Sequence, residues 1–201
     1  MIRFGKNAVG SFRTKFKVRE LLRSGQEIKL ELGAGTRGKN RAGWLSLDRD
    51  FGSDIYWDLS KPLPFPDGSI SMIYSSHVLE HFVYRDLLRL LHDCHRVLKK
   101  DGIFSVCVPN GRIYIEGYLN PAQFNRDYLN YEPAVYSDKR MDIVNFIAHL
   151  DGEHRHIFDE ENLIHILEIA GFKSAKERDF DPEIDLESRR FGSIYASAIK
   201  P

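Results

Sequence analysis

The stretch Leu30-Glu31-Leu32-Gly33-Ala34-Gly35-Thr36-Arg37-Gly38 constrains this chain more than any other. Before it, Glu27-Ile28-Lys29-Leu30 alternates polar and apolar residues, the period of a strand, and that strand ends at Gly33. Glycines at such a turn let the backbone bend tightly and bring its N–H groups against a bound molecule with no Cβ between. Glu31 stands just before the first glycine, and Asp48 ends the next apolar run, Trp44-Leu45-Ser46-Leu47. In dinucleotide folds roughly 20 residues separate a glycine turn from the acid that holds a ribose diol, and Asp48 falls close to that distance. The pattern points to a nucleoside cofactor. Glycine turns after strands also serve NAD and FAD proteins, and some bind nothing.

Thr36 to Gly43 is polar, broken by glycine and without helical periodicity. A crossover between parallel strands usually takes about a dozen residues or more and includes a helix. A pyrophosphate relies on the N-terminus of that helix, so this short crossover counts against a dinucleotide.

The other boundaries come from composition. With 201 residues, 42% of them hydrophobic, the chain suits one domain with a sizeable core. Basic and acidic residues both number 29, so net charge provides no pull toward nucleic acid or an anionic membrane. Cys94 and Cys107 lie in apolar runs without CxxC spacing, which reads as two buried thiols rather than a disulfide or metal site. No leader or spanning apolar segment is visible, and the expected location is the cytoplasm. Residues 1–24 carry Arg3, Lys6, Arg13, Lys15, Lys17, Arg19 and Arg23 against the single acid Glu20, with Phe12, Phe16, Leu21 and Leu22 interleaved. This segment reads as an amphipathic helix packed on the domain, with an anionic surface as its alternative partner.

Further along, Ser53 to Trp57 and Ile70 to Tyr74 read as the third and fourth strands, separated by a proline-stiffened loop with Pro62, Pro64 and Pro66. Asp86 to Leu98 has helical apolar spacing and Ile103 to Val108 suits a strand buried on both faces. Asp159 caps a helix running to Ala170, and Phe172 to Phe180 with Ser193 to Lys200 form a strand pair.

Glu31-Leu32-Gly33-Ala34-Gly35, then Asp48, Asp58-Leu59, Leu63-Pro64-Phe65-Pro66-Asp67, Ser75-Ser76-His77-Val78-Leu79-Glu80-His81 and Ala170-Gly171-Phe172, resembles the class I S-adenosylmethionine-dependent methyltransferases. The resemblance runs in order from about Ile28 to Lys200. It implies a Rossmann-like three-layer α/β sandwich, with a seven-stranded, mostly parallel sheet and an antiparallel last strand beside the fourth and fifth. It implies S-adenosylmethionine as cofactor, which carries no phosphate and so tolerates the short crossover. By resemblance, Asp48 holds the ribose diol, and Gly33, Ala34 and Gly35 pass beneath the amino-acid part next to Glu31. Asp58 then accepts from the adenine amino group while the Leu59 amide donates to a ring nitrogen; the alternative for Asp58 is a turn cap beside Ser60. Ser75 and Ser76 complete the cofactor contacts at the carboxyl edge of the sheet. Family members commonly carry an Asp where this chain has Ser71.

His77 is placed nearest the transferring methyl, with His154 and His156 as further candidate proton acceptors; singly, each of the latter two also reads as a structural histidine. On a helix, His77, Glu80 and His81 share a face, and some methyltransferases of ubiquinone and RNA modification bind Mg²⁺ or a related ion with an acidic version of that cluster. Magnesium prefers oxygen ligands and His77 replaces a carboxylate, so no metal is expected. Residues 112–150 are the expected substrate-side insertion within a domain spanning 25–201. Their tyrosines and phenylalanines either wall a pocket or form the insertion's own core.

The expected function is methyl transfer from S-adenosylmethionine to an oxygen or nitrogen of a small-molecule or carbohydrate-like acceptor. The partner is a small molecule, with no nucleic acid and no membrane span; the oligomeric state stays open. A non-catalytic S-adenosylmethionine-binding module and an NAD-linked oxidoreductase are the alternatives.

Overall fold

A computed structural model describes residues 3–35 and 41–201, with side chains described from residue 13 onward. Helix α1 (Arg3–Ser24) leads into strands β1 (Lys29–Leu32), β2 (Trp44–Asp48), β3 (Ile55–Tyr56) and β4 (Ile70–Ser76). Helix α2 (Tyr84–Val97) and β5 (Leu98–Pro109) follow, then α3 (Gly111–Leu119), α4 (Arg140–His149), α5 (Glu160–Ile169), β6 (Lys173–Glu177) and β7 (Ser193–Ile199). The seven strands form one sheet in the order β3-β2-β1-β4-β5-β7-β6. All pairings are parallel except those of β7, which runs antiparallel to β5 and β6. The α/β class and the antiparallel last strand match the expectation. That strand sits between β5 and β6, however, and not beside the fourth, because β6 takes the edge and β7 returns inside it. A dinucleotide fold continues its parallel sheet here, and this chain does not.

Strand register sorts the side chains into two unlike faces. Leu30, Leu45, Ile73, Phe104 and Ala198 lie abreast on one face. The buried residues of α2 (Leu87, Leu90, Leu91, Cys94, Val97) and of α5 (Leu163, Ile166, Leu167) recur at three- and four-residue spacing, the stripe that seats a helix on such a surface. Each fully buried Leu, Ile or Phe side chain there contributes about 1.5–3 kcal/mol relative to exposure, which makes this face the main source of cohesion.

The opposite face carries a polar row across five strands: Ser46, Glu31, Tyr74, Ser105 and Ser197. Buried polar groups need partners, and the long β6–β7 connection supplies several of them. Tyr74 Oη donates to Asp185 Oδ1 at 2.9 Å, Arg178 grips both Asp185 oxygens at 2.5 and 2.8 Å, and Arg178 Nε donates to Ser105 Oγ at 3.0 Å. Helix α1 covers the β3 edge: Thr14 Oγ1 donates to the Tyr56 carbonyl at 3.0 Å, Lys17 pairs with Asp54 at 3.0 Å, and Val18 is buried.

Residues 33–43 connect β1 to β2, and no helix occurs among the described ones. The reading of Thr36 to Asn40 as irregular chain lies outside the described residues. Helix α2 begins two residues before Asp86, on Val83 in an extended conformation. Strand β5 starts at Leu98, earlier than its apolar run, because Lys99 to Gly102 bulge opposite Ser71 between the paired positions Ile70–Leu98 and Met72–Ile103. Ser71 itself is a strand residue whose hydroxyl donates to the Ile28 carbonyl at 2.9 Å. The insertion is more ordered than its loose pattern suggested, with α3 and α4 packed together. Both cysteines are free and buried. Among the described residues, no helix is long and apolar enough to cross a membrane.

Candidate functional site

The glycine turn sits at the carboxyl end of the sheet. Gly33 and Gly35 both adopt left-handed φ values, 62° and 55°. The Gly33 amide donates to the Leu47 carbonyl at 2.9 Å, and the Gly35 amide donates to Asp48 Oδ2 at 2.9 Å. Asp48 Oδ1 accepts from the Asp50 amide at 2.9 Å, so each carboxylate oxygen keeps a lone pair for another donor. A Cβ on Gly33 would collide with Val78, whereas one on Gly35 would meet nothing within 4 Å among the described residues. Ala34 is buried between them.

Glu31 and Arg41 form a buried pair behind this loop. Arg41 Nη1 lies 3.8 Å from Glu31 Oε2, and neither atom has a hydrogen-bond partner among the described residues. Burial raises the Glu31 carboxyl above its usual range, against the opposing pull of Arg41 and Arg189. The Arg41 guanidinium stacks over the Trp44 and Tyr74 rings and donates through Nη2 to the Ile184 carbonyl at 2.5 Å.

Asp58 closes a turn, its Oδ1 accepting from the Ser60 amide at 2.9 Å, and the adjacent Leu59 side chain is buried in the core. Desolvation raises and the Ser60 hydrogen bonds lower the Asp58 pKa, and the net direction is down. Ser75 is buried, and its hydroxyl has no partner among the described residues. Ser76 is occupied: its carbonyl and hydroxyl both accept from Arg189 Nη1, at 2.7 and 2.6 Å.

His77 follows β4 in a left-handed conformation, φ 52°, and its amide donates to the Cys107 carbonyl at 2.9 Å. Its Nε2 lies 2.9 Å from Ser193 Oγ. Burial, with Arg189 beside it, pushes the imidazole well below its ordinary range, so it stays neutral at pH 7. His77 and His154 line one cavity of about 470 Å³ with Tyr114, Tyr128, Tyr131 and Phe146. Tyr114, Phe124, Tyr128 and Phe146 also pack on one another, so the insertion's rings both build its core and wall the cavity. His154 is buried, with Nδ1 2.7 Å from the Ile147 carbonyl. His156 is not a lining residue of that cavity. Its Nε2 contacts Asn162 Oδ1 at 3.1 Å and its ring packs on Tyr84 and Phe158.

Residues 52–106 match the family model described as a methyltransferase domain. That match marks a methyltransferase domain over about a quarter of the chain. Its fold is that of solved structures at low identity. A SAM-dependent methyltransferase from Archaeoglobus fulgidus is 17% identical with a TM-score of 0.54, covering 92% of each chain. The putative methyltransferase in complex with the Trm112 methyltransferase activator of Haloferax volcanii is 14% identical with a TM-score of 0.54, covering 98% of this chain and 95% of that one. An S-adenosylmethionine-dependent methyltransferase from Mesorhizobium loti is 19% identical with a TM-score of 0.52, covering 91% and 97%. The curated proteins provide no match.

Three features of this site escaped the sequence reading. Arg41 looked like one polar residue of a loop, yet it is the countercharge of Glu31. Arg189 and Asp185, in an acidic connection between two strands, turn out to reach β4 from 113 and 111 residues away. His154 joins Glu80 and His81 in one cluster. The cue was an acid and a base in each segment, which is too common to select a pair.

Proposed function

We propose that this methyltransferase transfers the S-adenosylmethionine methyl group to an oxygen or nitrogen of a small-molecule or carbohydrate-like acceptor seated in the His77 cavity. The observation that carries the reading is that this cavity is lined by His77, next in sequence to Val78, the residue packed against Gly33 of the glycine turn. Acceptor and cofactor sites therefore share a wall.

The residues fit the cofactor. Space for it lies over Gly35, and the buried, unpartnered Glu31 Oε2 and Arg41 Nη1 offer an acceptor and a donor for an amino-acid zwitterion. Asp48 retains lone pairs for a diol, and Asp58 retains one oxygen for an adenine amino group. When bound, the sulfonium supplies an already activated methyl electrophile, so the protein chiefly has to align the acceptor and accept a proton. Tyrosine rings offer flat apolar walls with hydroxyls for orientation, a lining suited to a sugar-like or other small polar acceptor. Neutral His77 is the group placed to take the acceptor's proton. The free, buried cysteines suit a reducing compartment, and we place the protein in the cytoplasm.

A product screen with S-adenosylmethionine and a panel of hydroxyl and amine acceptors tests the reading. With an acceptor in hand, His77→Ala is expected to lower kcat by roughly 10² to 10⁴ while leaving S-adenosylhomocysteine affinity nearly unchanged. Unchanged turnover would remove His77 from the chemistry. No methylated product from any acceptor, with cofactor still bound, would favour the non-catalytic binding module.

A further inference from the structure

We propose that Glu80, His81 and His154 form a binding site for one divalent first-row transition ion at the edge of the acceptor cavity. This departs from the metal-free expectation, and it does so on geometry that only the folded chain provides.

Glu80 lies in the short 3₁₀ turn Leu79–His81 and is 2% exposed, yet its Oε2 has no hydrogen-bond partner among the described residues. Its Oε1 faces His77 Nδ1 at 3.9 Å and His81 Nε2 at 4.0 Å. Among the described residues no lysine or arginine pairs with it within 4.0 Å. A buried carboxylate left this way is costly unless a cation meets it. The two histidines are set to help hold one. His81 Nδ1 lies 3.1 Å from the Glu153 carbonyl and His154 Nδ1 lies 2.7 Å from the Ile147 carbonyl. A carbonyl only accepts, so each Nδ1 must carry the proton and each Nε2 keeps its lone pair. That is the outer hydrogen bond which orients a metal-binding imidazole.

The backbone holds the two segments in register. The Glu80 carbonyl accepts from the amides of Arg155 at 2.8 Å and His156 at 3.1 Å, so the strand-like segment carrying His154 is tied to the turn carrying Glu80. One ligand atom from each of Glu80, His81 and His154 lies within 4.8 Å of the others. Side-chain rotations of about 1 Å would bring them to tetrahedral spacing around an ion with bonds of roughly 2.0–2.2 Å. Two imidazoles and one carboxylate suit zinc, iron, cobalt or nickel better than magnesium, which prefers oxygen ligands.

Three protein ligands leave a coordination position, and His154 lines the acceptor cavity. An acceptor hydroxyl bound there would lose its proton more readily to His77 or water. Its oxygen would then form the bond to the methyl carbon as the carbon–sulfur bond breaks and the electron pair stays on sulfur. The catalytic use of the ion rests on the methyl-transfer reading; its binding does not.

Titration of the chelator-treated full chain with Co²⁺, followed by visible absorption and calorimetry without cofactor, tests the site. One Co²⁺ per chain is expected, with a ligand-field spectrum. Glu80→Gln and His81→Asn should each weaken binding by at least about tenfold while the thermal melt stays cooperative. His92→Asn, an exposed histidine on α2, should bind as wild type. The proposal is overturned if folded wild type binds no stoichiometric Co²⁺, if both site variants bind as wild type, or if Mg²⁺ at equal concentration displaces it. Loss of S-adenosylhomocysteine binding with Co²⁺ binding intact would count against the cofactor reading alone.

Discussion

Asp48 Oδ2 accepts a hydrogen bond from the Gly35 amide at 2.9 Å, across 13 residues of chain, so the acid at the end of β2 also holds the glycine loop in shape. Removing the carboxylate therefore affects the proposed ribose contact and the loop together. Charge-assisted hydrogen bonds contribute about 1.5–3 kcal/mol, so Asp48→Ala should weaken S-adenosylhomocysteine binding by roughly ten- to a hundredfold or more. Calorimetric titration, with circular dichroism to confirm folding, measures this. Equal affinity in the variant would remove Asp48 from the site.

The two loop glycines should separate stability from binding. Gly33→Ala meets Val78 as well as the strain of a left-handed φ, and should destabilise by about 2–4 kcal/mol. Among the described residues Gly35→Ala meets only the strain, about 1–2 kcal/mol, but places its methyl on the path proposed for the cofactor. Urea unfolding and ligand titration of both variants check the contrast. If Gly35→Ala binds normally, the cofactor does not approach that backbone.

Asp185 joins Arg178, Tyr74 and the sheet in one buried network, and its side chain is 0% exposed. Asp185→Ala would leave a half-buried guanidinium without its partner and the Tyr74 hydroxyl without its acceptor. A loss of about 3–5 kcal/mol in urea unfolding is expected. A loss below 1 kcal/mol would mean that the β6–β7 connection does not cover the polar face in solution.

Burial, with Lys200 and His92 nearby, lowers the His95 pKa below 6.5. The unfolded chain then takes up a proton first on acidification, so stability present above pH 6.5 is lost as pH falls below it. His77 and His154, also lowered, contribute in the same direction. In thermal melts between pH 7.5 and 5, His95→Gln should flatten part of that decline. A variant curve parallel to wild type would show that His95 carries none of it.

Local period and spacing made much of this chain legible. The alternation before Gly33, the helical stripe from Leu87 to Val97 and the apolar run into Val108 each depend on neighbours within a few residues, so one sequence reveals them. The insertion was harder to read, because α3 and α4 are short and their apolar residues serve both the helix core and a cavity wall. The place of β7 inside β6 was likewise open, since an antiparallel strand can take either position with the same side-chain alternation.

By itself, the sequence determined the class of the sheet, the glycine turn and the acid at Asp48 that faces it. Only the tertiary structure decided which distant groups meet: Arg41 with Glu31, Asp185 with Tyr74, Arg189 with Ser76, and His154 with Glu80 and His81. Periodicity reports how a residue faces its own element, whereas the approach of two elements depends on the packing of the whole chain. A lone acid or histidine reads alike on the surface and in a site; burial and the partner beside it make the difference.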